Sequence, residues 1–248
     1  MNIFTLFYNE VLFRPLFNGL IFLYNSIPGH DFGVAIIVLT LIIRIILYPL
    51  NQRAIKSQKE LQEIQPKIKE VQEKYKGDKE KQGRALMDLY KVHKINPASG
   101  CLPMLIQLPV LLALFSVFRS GLNPEKLSSL YSFVVNPGAI NHFFLGLVDL
   151  SKNNWILAVL AGAAQFLQSR MMTPPKAALA GKADFASAMS KQMLYLFPVF
   201  TIFIAAGLPA GLALYWFAMT VFGIGQQYLV MKKKDHESSH KFTTNNHE

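Results

Sequence analysis

A single arginine lies inside a long apolar stretch near the start of the chain. Residues 32–50 number nineteen, and Arg44 is the only charged one among them. A helix of this length is about enough to cross the hydrocarbon core of a bilayer. A cation at that depth costs about 2.5–3.5 kcal/mol on insertion scales, so such residues generally face a protein interior or a water-filled cavity. We therefore predict that Arg44 lines a hydrated cavity and attracts polar or acidic groups.

Two other environments suit Arg44 less well. To snorkel to the headgroups, its side chain would have to cover the six residues to Leu50, about 9 Å at helical rise. To pair with a carboxylate it would need an acidic residue, and no other predicted span contains one. Thr40 lies one turn from Arg44 on the same helix face and is expected to share its surroundings.

The composition is that of a membrane protein. Hydrophobic residues make up 52% of the 248 residues and charged residues only 16%, against roughly 25% in ordinary soluble domains. We predict an all-α polytopic membrane protein with one compact domain. The single cysteine, Cys101, excludes an intramolecular disulfide, and the scattered histidines match no ligand spacing, so neither a metal nor a cofactor is expected.

Five apolar runs are predicted to form membrane spans. The last of them, residues 193–230, has 38 residues without a charge, about 57 Å as one straight helix, and must therefore turn back, at 207–211. The predicted spans cover about 32–50, 101–118, 155–170, 193–207 and 210–230. Because none of them contains Asp, Glu or His, an intramembrane enzyme is not predicted.

The chain before the first span has the pattern of a helix that lies flat in the membrane interface. Within residues 1–30, Glu10, Arg14 and Asn18 recur at helical spacing, opposite an apolar face. Pro15 leaves open whether this segment is one helix or two. A second outer segment, 139–150, is too short to cross and is also placed at the interface.

A charge-rich helical hairpin is predicted at about 56–95. Apolar residues alternate by three and four in its first arm, and Lys76-Gly77-Asp78 is a turn signal. Pro66 either kinks the first arm or starts a new helix. Such a hairpin suits contact with lipid headgroups or a partner protein. A short basic tail, 232–248, follows the last span.

The positions of Lys and Arg predict the orientation. Twenty of the 25 fall in the hairpin, the loop after the third span and the tail, and only four fall on the opposite side. The positive-inside rule places the twenty in the cytoplasm, with the N-terminus outside and the C-terminus inside. The net charge of +10 therefore reflects topology and affinity for anionic lipids, and no direct nucleic-acid binding is expected.

Several separated strings of this sequence match one known family in order and spacing. They are PGHDFGVAIIVLTLIIRIILYPLNQ, IQPKIKEVQEKYKGD, NPASGCLPMLIQLPVLLALF, FFLGLVDLS, LPAGLALYW and GQQYLV. On these strings the chain resembles the YidC/Oxa/Alb membrane protein insertases over nearly its whole length. We expect a short bacterial form, because the large periplasmic domain, the additional N-terminal span and the lipoprotein cysteine of other members are not found here. The absence of a transit peptide favours the bacterial plasma membrane.

The resemblance implies a five-span insertase core that inserts and helps to fold nascent membrane proteins. Its groove would be open to cytoplasm and lipid, with nascent chains and lipids as partners; the Sec translocon and the ribosome are further candidate partners. The resemblance, together with the chemistry of the side chains, predicts seven groove residues. They are Arg44, Thr40, Gln107, Gln165, Gln168, Tyr215 and Trp216. For the glutamines an interhelical packing bond is equally compatible, and for Trp216 an interface anchor is the alternative.

A small channel or secondary transporter is the alternative function. It could also contain one buried arginine, but it should show internal repeats and several polar groups at the midplane. The sequence shows neither of these features.

Overall fold

The computed structural model describes residues 6–96, 102–120, 130–172 and 192–244, of which 102–106, 119, 120, 193 and 233–244 are described as backbone only. Within these ranges the chain is mostly helical. The single cysteine Cys101, the loop 173–191, residues 1–5 of the N-terminal segment and residues 245–248 of the tail lie outside the described residues.

The N-terminal segment is one continuous helical stretch. A π-helical segment, Tyr8–Phe13, runs directly into helix α1, Arg14–Ser26. Pro15 is the second residue of α1, directly after the π-helical segment, and does not divide the stretch into two separate helices. The predicted polar face is wrong at Asn18, which is only 2% exposed. Its amide donates to the carbonyl of Arg14 at 2.8 Å and accepts from the backbone N–H of Tyr131 at 2.6 Å, so the polar side chain is fully used inside the protein.

The first predicted span is bent near its end. Helix α2, Phe32–Ile46, and helix α3, Tyr48–Glu63, meet at an angle of 67°. The prediction of one helix through residue 50 is wrong, because Pro49 has no N–H to donate to the carbonyl of Ile45 and the helix cannot continue through it. Arg44 thus lies in the last turn of α2.

Two antiparallel helices form the charge-rich part of the chain. Helix α4, Gln65–Lys74, packs against α5, Lys79–Val92, through a small apolar cluster of its own, which contains Ile64, Ile68, Ile95, Leu61, Leu86, Leu89 and Tyr90. Pro66 lies in the first turn of α4, so a new helix starts there rather than a kinked one continuing. Asp78 caps α5, and the backbone N–H of Lys81 that donates to this carboxylate lowers its pKa.

The remaining helices surround the main core. Helix α6 is Leu102–Ser120, α7 is Trp155–Met171, α8 is Phe197–Ala206, preceded by a π-helical segment, Gln192–Leu196, and α9 is Ala210–Thr244. α9 packs against α2, α7 and α8, and α7 packs against α8. These helices lie over the ranges expected for spans two to five, and the last continues far into the predicted tail. By length and apolar composition no single helix in the described part suffices to cross a membrane, whereas the bent pair α2–α3 does.

The short turn between α8 and α9 is completed by an earlier part of the chain. The backbone N–H groups of Ala210 and Gly211 donate to the carbonyls of Lys152 and Leu150 at 2.8 and 3.0 Å. The side-chain amide of Asn153 donates to the carbonyl of Ala206 at 3.2 Å. Residues 150–153 therefore provide hydrogen-bond partners for backbone groups at the end of α8 and the start of α9, which have no partner within their own helices.

A small two-stranded sheet departs from the all-α prediction. Strands β1, Phe143–Phe144, and β2, Val148–Asp149, pair antiparallel, with Phe143 opposite Asp149 and Phe144 opposite Val148. The strands lie in the outer segment that was expected at the interface. Their hydrogen bonds satisfy the backbone of a segment that is too short to form a spanning helix.

The contact between α7 and α8 provides a test of this packing. A Cβ on Gly162 would lie 2.8 Å from Ile202 Cδ1 and 3.0 Å from the carbonyl oxygen of Pro198, so the two helices meet at this glycine. We expect Gly162→Val to destabilise the protein by about 1–3 kcal/mol through overpacking. The neighbouring Ala163 is exposed, and Ala163→Val should change stability by less than about 0.5 kcal/mol. Thermal unfolding of both variants in detergent measures the difference, and equal midpoints would contradict this packing.

Candidate functional site

Arg44 is held against the last helix rather than turned away from the bundle. Its side chain is half-buried, and its Nη2 donates to the carbonyl of Met219 on α9 at 2.8 Å. The Nε atom of Arg44 is buried and makes no hydrogen bond to the described residues. No ion pair within those residues includes Arg44. The guanidinium is therefore not neutralised by these residues, and its Nε–H remains able to donate a hydrogen bond to another group.

Gly223 is the point at which Arg44 and Gln168 meet α9. A Cβ built on this glycine would lie 2.5 Å from Gln168 Nε2 and 3.1 Å from Arg44 Nη2. The amide at the end of α7 and the guanidinium at the end of α2 thus approach the same bare stretch of α9 backbone. α2, α7 and α9 therefore meet at this point, where α2 and α7 each contribute one polar side chain. Gly223 carries no polar group of its own, so sequence reasoning gave it no role.

A second polar pair joins α6 to α9. The side-chain amide of Gln107 donates to the hydroxyl of Tyr215. Tyr215 is 2% exposed, so this bond satisfies a hydroxyl that is closed off from solvent. Trp216, the next residue, is half-buried. The structure therefore brings Gln107 and Tyr215 together, and the closing of a groove by Tyr215 and Trp216 stays a prediction.

Thr40 and Gln165 are placed differently from each other. Thr40 is buried, and its hydroxyl donates to the carbonyl of Ile36 in the same helix at 2.6 Å. It lies one turn from Arg44, as its spacing predicts, but its hydroxyl is used by its own helix. Gln165 is half-buried on α7, three residues before Gln168. A role of either side chain in a groove stays a prediction.

Two adjacent glutamines on α9 were not singled out from the sequence. Gln226 donates from Nε2 to the carbonyl of Tyr48 at 3.0 Å, just past the bend between α2 and α3. Its Oε1 and the Nε2 of Gln227 are buried without a partner among the described residues. The signal that could have found them is two amides in a 38-residue run that contains no charge. Gln226 and Arg44 together tie the two sides of the bend to one face of α9.

The polar side chains of the site are a guanidinium, amides and a phenol. Within the described residues no group of three or more His, Cys, Asp or Glu side chains could hold a metal ion. The guanidinium, the amides and the phenol donate hydrogen bonds and attract negative charge.

Replacing Gly223 tests the convergence of Arg44 and Gln168. Inside a helix, alanine in place of glycine normally stabilises a protein by about 0.5–1 kcal/mol. At residue 223 we expect this stabilisation to be offset, because the added methyl group displaces the Gln168 amide and crowds the Arg44 guanidinium. Gly225 is the matched control, because a Cβ there meets nothing within 4 Å. Thermal unfolding should show Gly225→Ala more stable than the parent and Gly223→Ala less stable than Gly225→Ala. Equal stabilisation by both changes would show that α9 is not approached at residue 223.

Comparison with known proteins gives the site its context. The model of the family described as 60Kd inner membrane protein matches residues 22–237. A membrane protein insertase YidC of Fusobacterium nucleatum subsp. nucleatum is 38% identical over 224 residues, which cover 90% of this chain and 98% of that protein. Proteins of the same name from Syntrophus aciditrophicus and Geotalea daltonii are 39% and 36% identical, again over 90% of this chain.

These relatives differ in length. The chain spans nearly all of the Fusobacterium protein but only 36% and 38% of the other two. Their shared name describes an insertase rather than an enzyme, and the family description places its members in the inner membrane. On the family match and the identity over 90% of its length, this chain belongs to the 60Kd inner membrane protein family, the YidC/Oxa family of membrane insertases.

Proposed function

We propose that this protein inserts nascent membrane proteins into the bacterial inner membrane and helps them to fold. The observation that carries the proposal is the half-buried guanidinium of Arg44, which makes no ion pair with any described residue. Such a cation in an apolar bundle is expensive unless water or a passing polar group solvates it. The relatives' name, membrane protein insertase, points to the passing group.

The polar side chains around Arg44 support a hydrated path. Gln168 approaches the same backbone as the guanidinium, and Gln226 lies one further turn along α9. Arg44 Nε is a buried polar atom without a partner among the described residues, and water or a ligand is expected at such an atom. We name the surface that α2, α7 and α9 form around Arg44 and Gln168 the groove.

The groove would lower the cost of moving a polar segment out of water. A short flank of a nascent chain exchanges water for the groove's donors instead of entering bare hydrocarbon, where unpaired polar groups cost several kcal/mol. Arg44 attracts acidic residues in that flank. The apolar part of the substrate meanwhile leaves water for lipid, which contributes roughly 25 cal/mol per Å² of buried apolar surface. The membrane potential adds about 2.3 kcal/mol per negative charge moved outward per 100 mV.

The other parts of the chain have matching roles in this proposal. α4 and α5 form the cytoplasmic hairpin, which receives substrate or contacts anionic headgroups at the mouth of the groove. The five predicted spans hold the groove, with the N-terminus outside and the C-terminus in the cytoplasm. Nascent membrane proteins and lipids are the proposed partners, and the Sec translocon and the ribosome are further candidates on the cytoplasmic side.

Replacing Arg44 tests the proposal directly. In proteoliposomes we expect Arg44→Ala to reduce insertion of a single-span substrate with an acidic flank by about tenfold, which corresponds to about 1.4 kcal/mol. Arg44→Lys should retain much of the activity, because a cation and a hydrogen-bond donor remain. Insertion is measured as protease protection of the translocated flank.

The control is a cation outside both the groove and the hairpin. Lys152 is exposed and pairs with Asp149, so Lys152→Ala should leave insertion unchanged. In the Arg44→Ala variant, insertion of a substrate with a neutral flank should fall less than insertion of the substrate with an acidic flank. Normal insertion of the acidic substrate by that variant would contradict the role given to the guanidinium.

A further inference from the structure

The turn between β1 and β2 displays leucines at its tip. Leu145 is 63% exposed and Leu147 is 83% exposed, on either side of Gly146. The ten residues from 139 to 148 contain no Asp, Glu, Lys or Arg. We name residues 145–147 the apolar tip. Two neighbouring exposed leucines in an uncharged segment form an apolar surface that is available for contact with an apolar partner.

The apolar tip is held firmly by the start of α2. One oxygen of the Asp31 carboxylate accepts from the backbone N–H of Val34 at 2.9 Å and caps α2. The other accepts from the backbone N–H of Leu145 at 2.6 Å. A Cβ on Gly33 would lie 2.7 Å from Phe144 Cβ, so β1 packs directly on the first turn of α2. The tip and the helix are therefore joined by a charged hydrogen bond and by close packing.

The backbone of the tip is strained where it is held. Leu145 has a φ of +50°, a region that leucine rarely adopts, and it is followed by Gly146 at +70°. Positive φ at both central residues is the geometry of a tight hairpin turn, which the bond from the Leu147 N–H to the carbonyl of Phe144 closes. The bond from the Leu145 N–H to Asp31 fixes this turn to the start of α2. The conformation points both leucine side chains outward instead of folding them back onto the sheet.

The tip's hydrogen bonds suit an apolar medium. The N–H of Leu145 is bonded to Asp31, and the N–H of Leu147 donates to the carbonyl of Phe144 at 3.0 Å. The pairing of β1 with β2 and the bond from Leu150 N–H to the carbonyl of His142 at 2.9 Å close the base of the turn. Backbone groups that enter lipid must be satisfied internally, and the N–H groups of both leucines meet this condition.

The residues beside the turn favour lipid over a protein as the occupant. Trp155, at the start of α7, is 61% exposed, and Lys152 is exposed as well. Trp and Lys are the side chains that accumulate at the membrane–water boundary. The tip itself offers no charge that a protein partner could recognise specifically.

We propose that the apolar tip enters the headgroup–acyl boundary of the leaflet at the N-terminal end of α2 and, through Asp31, sets the height of that helix in the membrane. Arg44 lies thirteen residues from Asp31, about 20 Å along a rigid helix. The depth of the tip thus determines the depth of the guanidinium. The inference concerns the lipid interface and does not depend on the proposed function of the groove.

Depth measurement tests the lipid contact. Nitroxide labels are attached at Leu147→Cys, Lys152→Cys and Phe200→Cys, each in a Cys101→Ser background, in vesicles of phosphatidylethanolamine and phosphatidylglycerol. The ratio of oxygen to nickel-chelate collisions should be several-fold higher at 147 than at 152, and lower at 147 than at 200, an exposed position on α8. A ratio at 147 equal to that at 152 overturns the proposal. Protection of 147 from both reagents also overturns it, since a second copy or another protein segment would then cover the tip.

A substitution at Asp31 tests the link to α2. Asp31→Ser keeps an N-cap for α2 but has a single oxygen, which cannot serve both Val34 and Leu145. We expect the label at 147 to become more mobile and a label at Ile46→Cys, which is exposed at the other end of α2, to change its collision ratio. The double change Leu145→Asn with Leu147→Asn, in which asparagine tolerates positive φ, should shift position 46 in the same way. An unchanged ratio at 46 in both variants overturns the coupling. Circular dichroism serves to check that the fold is retained.

Discussion

The structure depends on how one guanidinium is accommodated among apolar helices. Arg44 gives one hydrogen bond to the carbonyl of Met219 and keeps a buried Nε–H without a partner among the described residues. A carboxylate in the bundle would neutralise the charge and fill the site permanently. A carbonyl does neither, because it accepts a hydrogen bond and leaves the net charge in place. The arginine is therefore positioned without being neutralised, which is the condition for attracting a transient ligand.

The bend at Leu47 and the face of α9 that receives Arg44 belong to one arrangement. α2 ends at Ile46, two residues beyond Arg44, and the Nε2 of Gln226 donates to the carbonyl of Tyr48 on the far side of the bend. α3 is thereby directed away from the axis of α2, toward the hairpin of α4 and α5. The same α9 that contacts the guanidinium thus also fixes the direction in which the charge-rich hairpin leaves the bundle.

The sequence predicted the features that arise from composition and periodicity. The isolated charge of Arg44, an interruption at Pro66 and the turn at residues 207–211 all follow from local rules that need no knowledge of neighbours, although only the structure decides between a kink and a new helix at Pro66. Other features depend on what lies across a helix interface. From helical spacing Asn18 is predicted to lie on the surface. Its burial is explained only by the hydrogen bond from the N–H of Tyr131, which is more than a hundred positions away in the sequence.

Gly223 shows the same limit in the site itself. A glycine in a helix has no chemistry to reveal its function, and its role exists only because Gln168 and Arg44 approach it from two other helices. The pair Gln107 and Tyr215 was predicted as two separate groove residues, and the hydrogen bond between them could not be read from spacing. Helix faces can be inferred from periodicity, but the partner of each face requires the assembled bundle.

The completion of the α8–α9 turn by residues 150–153 has a consequence for the biogenesis of this protein. The ribosome makes these residues about fifty positions before the turn that they complete, so the acceptor carbonyls are ready when the last two helices emerge. Without them, these backbone groups at the ends of both helices would lose their partners within the protein. The groups that complete the last helical turn are therefore already part of the chain when that turn is synthesised.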